Sequence, residues 1–438
     1  MSEKTAAAES APEGIGSGLE PAAIALALKG GSGEPGIAGD LSAYLRNRHQ
    51  QYEQFQHLHP GIWKKRFSTM LRFATLPVGA AIAAVALIAG NVPGWTQPSQ
   101  QAPIPCTSAM GLNYVCNLGR PEDFVWIPNT KYIMTGGSVA TGGWGLIDTE
   151  TKIFRQIDLS QVRPDLKIYP DCPAMPDAKR LTAHGVAIRP TRTPGLFTYY
   201  TVTHGFPFES VQVFALDARG AVPELHWTGC VQVPDNLRGN GVTAAMDGTI
   251  YNSVQLKNGA KQADYYVGKI TGGLYQWKPS DKTWRLLPGT EFAGNNGVEI
   301  SKDEKEIYQA VSGSHSVEII SLANTAKPVR RVNLKWFNVD NIHWSGDALL
   351  TAGVMEDEPA CNGTRKEMIE NKLDPACHRG FVVARIDPAT ATYRVVAYGP
   401  AIAEFGGAST AQIVGGNLWI TSNQMDRSAW LPLLHIKH

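Results

Sequence analysis

Polar residues recur at intervals along the second part of the chain, each heading a stretch of alternating apolar residues: Glu122-Asp123, His184, Asn240, Asn296, Asp340-Asn341 and Ser409. With Asp123 and Asn341 as the marks in their pairs, the steps are 61, 56, 56, 45 and 68 residues. Brought together, these amides and carboxylates form an oxygen-rich cage. Hard oxygen donors carrying several charges suit Ca²⁺, whereas softer metals call for Cys or more than one His. A calcium ion polarises an ester or lactone carbonyl and stabilises the oxyanion formed on attack. A histidine titrating near neutrality deprotonates water, and a second one orients it. Taken singly, Asn240-Gly241 and Asn296-Gly297 read as tight-turn dipeptides. A two-residue hairpin needs a strand on both sides, however, and PDNLRG and TEFAG before them are not strand-like. The shared register therefore favours a common site.

The elements that must position these residues are strands. PEDFVWIPNTKYIMTGG at 121–137, LTAHGVAIRP at 181–190 and GNGVTAAMDGTIYNSV at 239–254 share one pattern. So do GNNGVEISKDEKEIYQAV at 294–311, VDNIHWSGDALLTAGV at 339–354 and GGASTAQIVGGNLWITSN at 406–423. Hairpin signatures such as GGLYQWKPSDKTWRLL lie between them. A repeat of this length with about four strands reads as a propeller blade. The fold class predicted is all-β, a six-bladed β-propeller over 101–438. The last repeat is short of strands, so the segment 101–118 is expected to supply an outer strand and close the ring. The first strand of each blade lines the central channel, which is why the register marks should meet there.

The 438 residues include 44 Gly, 28 Pro and 11 Trp but only 18% charged residues, a composition of many turns and a large core. Lys and Arg number 40 against 39 Asp and Glu, and no basic stripe stands out, so nucleic-acid binding is disfavoured. Residues 1–39, rich in Ala, Gly, Glu and Pro, read as a disordered cytoplasmic tail, and 40–72 as an amphipathic, basic juxtamembrane segment. Phe73 to Gly90 carries no charge, and Lys64, Lys65, Arg66 and Arg72 precede it. Residues 73–92 are therefore expected to be a single transmembrane helix acting as a signal anchor. The N-terminus then faces the cytoplasm, with the propeller on the periplasmic, lumenal or extracellular side. All six cysteines follow the anchor, as an oxidising compartment permits. Pairing nearest neighbours gives Cys106–Cys116 and Cys361–Cys377 and leaves Cys172–Cys230, although six cysteines allow other connectivities.

Segments PEDFVWIPN, FAGNNGVEISKDEKEIY, VDNIHWSGDALLTAG and FGGASTAQIVGGNLWITS, taken in order, resemble the paraoxonase/arylesterase family of calcium-dependent lactonases. That family lies within the propeller group that includes gluconolactonase and strictosidine synthase. The resemblance implies a catalytic calcium held by Glu122, Asn240, Asn296, Asp340 and Asn341. It implies a general-base role for His184, in AHGV, and a partner histidine in His204, in VTHGF. It would also place a second, structural calcium on Asp123 and the Val186 carbonyl. There the pattern departs, because Gly241 stands where the family has an acid. The family's disulfide to its C-terminal strand is also absent, since no cysteine follows Cys377.

The expectation is thus a membrane-anchored, calcium-dependent hydrolase of lactones or aryl esters acting on a small-molecule substrate. No GxSxG motif supports a nucleophile-elbow serine hydrolase. The alternatives are a strictosidine-synthase-like or other non-hydrolytic propeller enzyme, and a non-enzymatic anchored scaffold. The charged stretch 355–379 interrupts the fifth repeat and is expected to overhang the channel mouth.

Overall fold

Alternating apolar residues, broken every few positions by turn-forming Gly, Asp and Asn, build six four-stranded antiparallel sheets. The computed structural model describes residues 104–137, 143–205, 208–327, 330–372 and 377–433. The expected tail, juxtamembrane segment and anchor (1–39, 40–72 and 73–92) lie outside these residues. Among the described residues no helix is long and apolar enough to cross a membrane.

Five sheets are formed by four consecutive strands, beginning at Pro121–Trp126, Leu181–Pro190, Leu237–Ala244, Asn295–Ile300 and Phe337–Ser345. The sixth begins at Ala408–Val414 and takes its outermost strand from the other end of the domain. There Asn113–Cys116 pairs with Arg427–Pro432, from Asn113 opposite Trp430 to Cys116 opposite Arg427. This is the ring closure expected of the segment 101–118. It covers the edge the last repeat would otherwise leave open.

The first strands pack against one another around the ring, so the six-bladed propeller is established from the sheets themselves. Apolar side chains fill the space between blades. Trp144, Tyr199, Phe214 and Trp227 are fully buried between the first two, and Tyr169 stacks on Trp277 with ring centroids 5.9 Å apart. Each such ring removed from water contributes on the order of 2–3 kcal/mol. Disulfides join Cys106 to Cys116, Cys172 to Cys230 and Cys361 to Cys377, the nearest-neighbour pairing read from sequence.

Two short helices stand over one end of the ring. Helix α1 (Gln262–Tyr266) comes from the third blade, and α2 (Arg365–Glu370) from the 355–379 stretch. Thr364 caps α2, accepting from the Glu367 N–H while the Glu367 side chain accepts from the Thr364 N–H. The two helices contact each other.

A candidate metal centre beside a histidine pair

Every inner strand carries a register irregularity, and in each blade it falls at a sequence mark. Pairing skips Glu122 in the first blade, His184-Gly185 in the second, and Asn240 in the third. It skips Asn296-Gly297, Asp340-Asn341 and Ser409-Thr410 in the remaining three. A bulge bends its strand and re-aims the unpaired side chain, here at six equivalent places around the axis.

Glycines permit the close approach this needs. A Cβ on Gly185 would lie 2.4 Å from the Asn240 carbonyl oxygen, one on Gly241 2.9 Å from that of Asn296, and one on Gly297 2.5 Å from the Asn341 Cα. The Asn-Gly dipeptides therefore serve contact between neighbouring blades, and not hairpin turns. Gly241 also has no room for the acid that the family resemblance would place there.

Glu122, His184, Asn240, Asn296 and Asp340 line one cavity of about 430 Å³ at the axis. Three oxygens among them are buried and lack a hydrogen-bond partner: Glu122 Oε2, Asn240 Oδ1 and Asn296 Oδ1. The amide of Asn296 is held in that sense because its Nδ2 donates to Ser312 Oγ at 2.9 Å. Asp340 Oδ2 accepts from Asn423 Nδ2 at 3.2 Å. Asn341 supports the cage from behind, donating through Nδ2 to Glu122 Oε1 at 3.0 Å.

Burial, with the nearby carboxylates of Asp340 and Asp123, pushes Glu122 well above the usual carboxylate range. Burial raises Asp340 to about 7, with Asp123 adding to the shift and Asn296 and Arg365 opposing it. Crowded carboxylates and orphaned acceptors are what a hard divalent cation would satisfy. Among the described residues no three His, Cys, Asp or Glu side chains are grouped to hold a metal, so amide oxygens must complete this donor set. With that completion, the residues fit one calcium ion.

His184 and His204 meet edge to face, with ring centroids 5.0 Å apart. His184 Nδ1 bonds to the Asn240 carbonyl at 3.4 Å, which leaves Nε2 as the basic nitrogen; Glu122 Oε2 is 3.3 Å from the same Nδ1 but makes no hydrogen bond with it. Burial first, then His204, pulls His184 well below the ordinary imidazole range. It is neutral at pH 7. His204 Nδ1 in turn donates to Glu209 Oε2. Sequence reading missed Glu209, although a signal was present. Thr203 pairs with Ser210 across the hairpin, so the next positions outward, 204 and 209, face each other.

Asp123 sits apart from the cavity, saturated by donors of the protein itself. Its carboxylate accepts from the N–H groups of Phe124 and Val186, both at 2.8 Å, and from Thr410 Oγ1 at 2.6 Å. His343 Nε2 completes the set at 2.9 and 3.0 Å from the two oxygens. On its other side His343 Nδ1 is 3.5 Å from Glu299 Oε2, and Arg189 Nη2 is 2.9 Å from Glu299 Oε1. Burial alone would lower the His343 pKa, but Asp123 and Glu299 outweigh it and raise it to about 10. A protonated imidazole thus stands against Asp123, and the residues there do not fit a second calcium. His343 had no place in the register reading, because its partner lies on another blade.

No protein-family model matches the chain, and no curated protein matches it. Among solved structures, a luciferin-regenerating enzyme is 14% identical, with a TM-score of 0.44 over 73% of this chain and 94% of that one. A calcium-binding protein, regucalcin, from Agrobacterium tumefaciens is 10% identical, with a TM-score of 0.43 over 73% of this chain and 95% of that one. The propeller fold rests on the six sheets of this chain.

Proposed function

We propose that this chain is a calcium-dependent hydrolase of lactones or aryl esters, anchored to a membrane through residues 73–92 with its propeller on the non-cytoplasmic side. The observation that carries the chemistry is the set of three orphaned buried oxygens, on Glu122, Asn240 and Asn296, next to a neutral histidine. Calcium held there with Asp340 would supply Lewis-acid polarisation of the substrate carbonyl. His184 accepts the proton of the attacking water at Nε2 as the water oxygen bonds to the acyl carbon. The acyl C–O bond then breaks, and the same proton passes from His184 to the departing alkoxide or phenoxide oxygen. His204, tied to Glu209, holds the His184 ring in place. The cavity volume of about 430 Å³ suits a small molecule.

The test uses the full chain purified in detergent, with a panel of small lactones and phenyl acetate. Activity abolished by chelator and restored by calcium supports the reading. Bound calcium without hydrolysis would favour another reaction in the same cage. No bound calcium and no activity would leave an anchored scaffold. Membrane fractionation of the full chain and of a form lacking residues 73–92 tests the anchor.

A further inference from the structure

The wall of the cavity above the cage is formed by α1 and α2, and it carries one permanent cation. Arg365, the first residue of α2, lines the same cavity as Glu122 and Asp340. Among the described lining residues no other Lys or Arg is present. Its guanidinium lies over the Tyr266 ring, 5.4 Å from the centroid, a cation–π contact that leaves its N–H donors unspent. Its Nε is buried and donates to nothing, and no ion pair engages the guanidinium among the described residues. Its backbone N–H is separately satisfied by Glu356 Oε1 at 3.2 Å. An unsatisfied buried guanidinium donor is costly, and a bidentate carboxylate is the partner its geometry matches best.

Met368 and Ile369 of α2 extend the wall with apolar surface, while Gln255, Gln262 and Gln424 add amides. The same cavity thus holds the oxygen cage and a single cationic fork. A single guanidinium offers one planar fork, which matches one carboxylate.

We infer that Arg365 is a specificity-determining residue, and that the substrate is an ester or lactone bearing one free carboxylate some way from the bond that is cleaved. This rests on the hydrolase reading for the reacting end and on Arg365 alone for the carboxylate. The product of such a reaction is a molecule with two carboxylates. A dicarboxylate should therefore bridge the cage and Arg365, whereas a monocarboxylate of equal length reaches only one of them.

The experiment is calorimetric titration of the calcium-loaded full chain with α,ω-dicarboxylates from succinate to suberate, each beside the monocarboxylate of the same length. At least one dicarboxylate is expected to bind tenfold or more tightly than its counterpart. Arg365→Gln should erase that preference, and Arg365→Lys should keep part of it. Equal binding of both series by the native chain overturns the inference, as does a preference that survives in Arg365→Gln. A change in calcium affinity alone in Arg365→Gln also overturns it, by making Arg365 only a counter-charge to Asp340.

A parallel assay compares 4-nitrophenyl hydrogen glutarate with 4-nitrophenyl butyrate. In Arg365→Gln the KM for the anionic ester should rise at least tenfold more than that for the neutral one. If neither ester is cleaved while the dicarboxylate preference depends on Arg365, the hydrolase reading falls and the carboxylate site stands. If both esters are cleaved and the variant treats them alike, the hydrolase reading stands and this inference falls.

Discussion

His343 Nε2 reaches both carboxylate oxygens of Asp123, at 2.9 and 3.0 Å, from a blade 220 residues away in sequence. The imidazolium joins the first blade to the fifth and, through Glu299 and Arg189, to the fourth and second. Its pKa is raised from 6.5 to about 10, so the stability it contributes is fully present below pH 6.5 and is lost as pH rises through about 10. His343→Leu leaves two buried carboxylates short of a partner and should cost about 3–5 kcal/mol near neutral pH. Thermal unfolding of native and variant chains from pH 6 upward checks this. The gap between them should narrow toward about pH 10.

Because His343 stands against Asp123, calcium should bind with a stoichiometry of one. Calorimetric titration of the chelator-stripped chain measures it. Two equivalent ions would show that His343 gives way. Glu122→Gln removes a charge and an acceptor from the cage and should weaken calcium binding at least a hundredfold while leaving the propeller folded.

Calcium affinity should depend on pH in a defined direction. In the metal-free protein the Asp340 carboxyl is raised to about 7, and burial lifts Glu122 well above the usual carboxylate range. Binding must expel those protons, so affinity should climb by about tenfold per pH unit or more on approach to pH 7. The same raised values mean that the metal-free chain gains stability from protonation at low pH and loses it as pH rises through about 7. The increase in Tm on adding calcium should therefore be larger at pH 8 than at pH 5.5.

His184 is neutral through the ordinary imidazole range, which places the acid limb of the rate profile below pH 6.5. His184→Gln should lower kcat by about 100- to 10,000-fold with calcium still bound. Glu209→Gln should act through His204, with a smaller loss of kcat, an unchanged calcium affinity and a shifted pH profile. Recovery in Glu209→Asp would separate positioning from simple loss of packing.

The glycines at the axis carry a prediction about backbone contact. Gly185→Ala places a Cβ 2.4 Å from the Asn240 carbonyl, so two blades must move apart. Overpacking of this kind costs about 1–3 kcal/mol, and here it also displaces a cage residue. Lower Tm together with weaker calcium binding is the expected pair of results. Gly241→Asp, at 2.9 Å from the Asn296 carbonyl, should destabilise the chain without creating a second ion site.

Much of this architecture is set by local pattern. Alternation between turns, repeated six times, dictates strands and blades, and the strand-poor final repeat requires a donor from Asn113–Cys116. The recurring polar marks could be read because the propeller places equivalent positions of successive blades around one axis. Three relationships were decided by the tertiary structure. Glu122, Asn240 and Asn296 have orphaned oxygens because bulges turn those residues off their sheets, and a bulge follows from pairing with the next strand. His343 neutralises Asp123 across the ring, a contact that no spacing along the chain encodes. Arg365 enters the cavity wall only because α2 packs on α1 from another blade. Local sequence specifies which residues alternate and where the chain turns. Which polar groups end up buried, and facing what, depends on how the blades close upon one another.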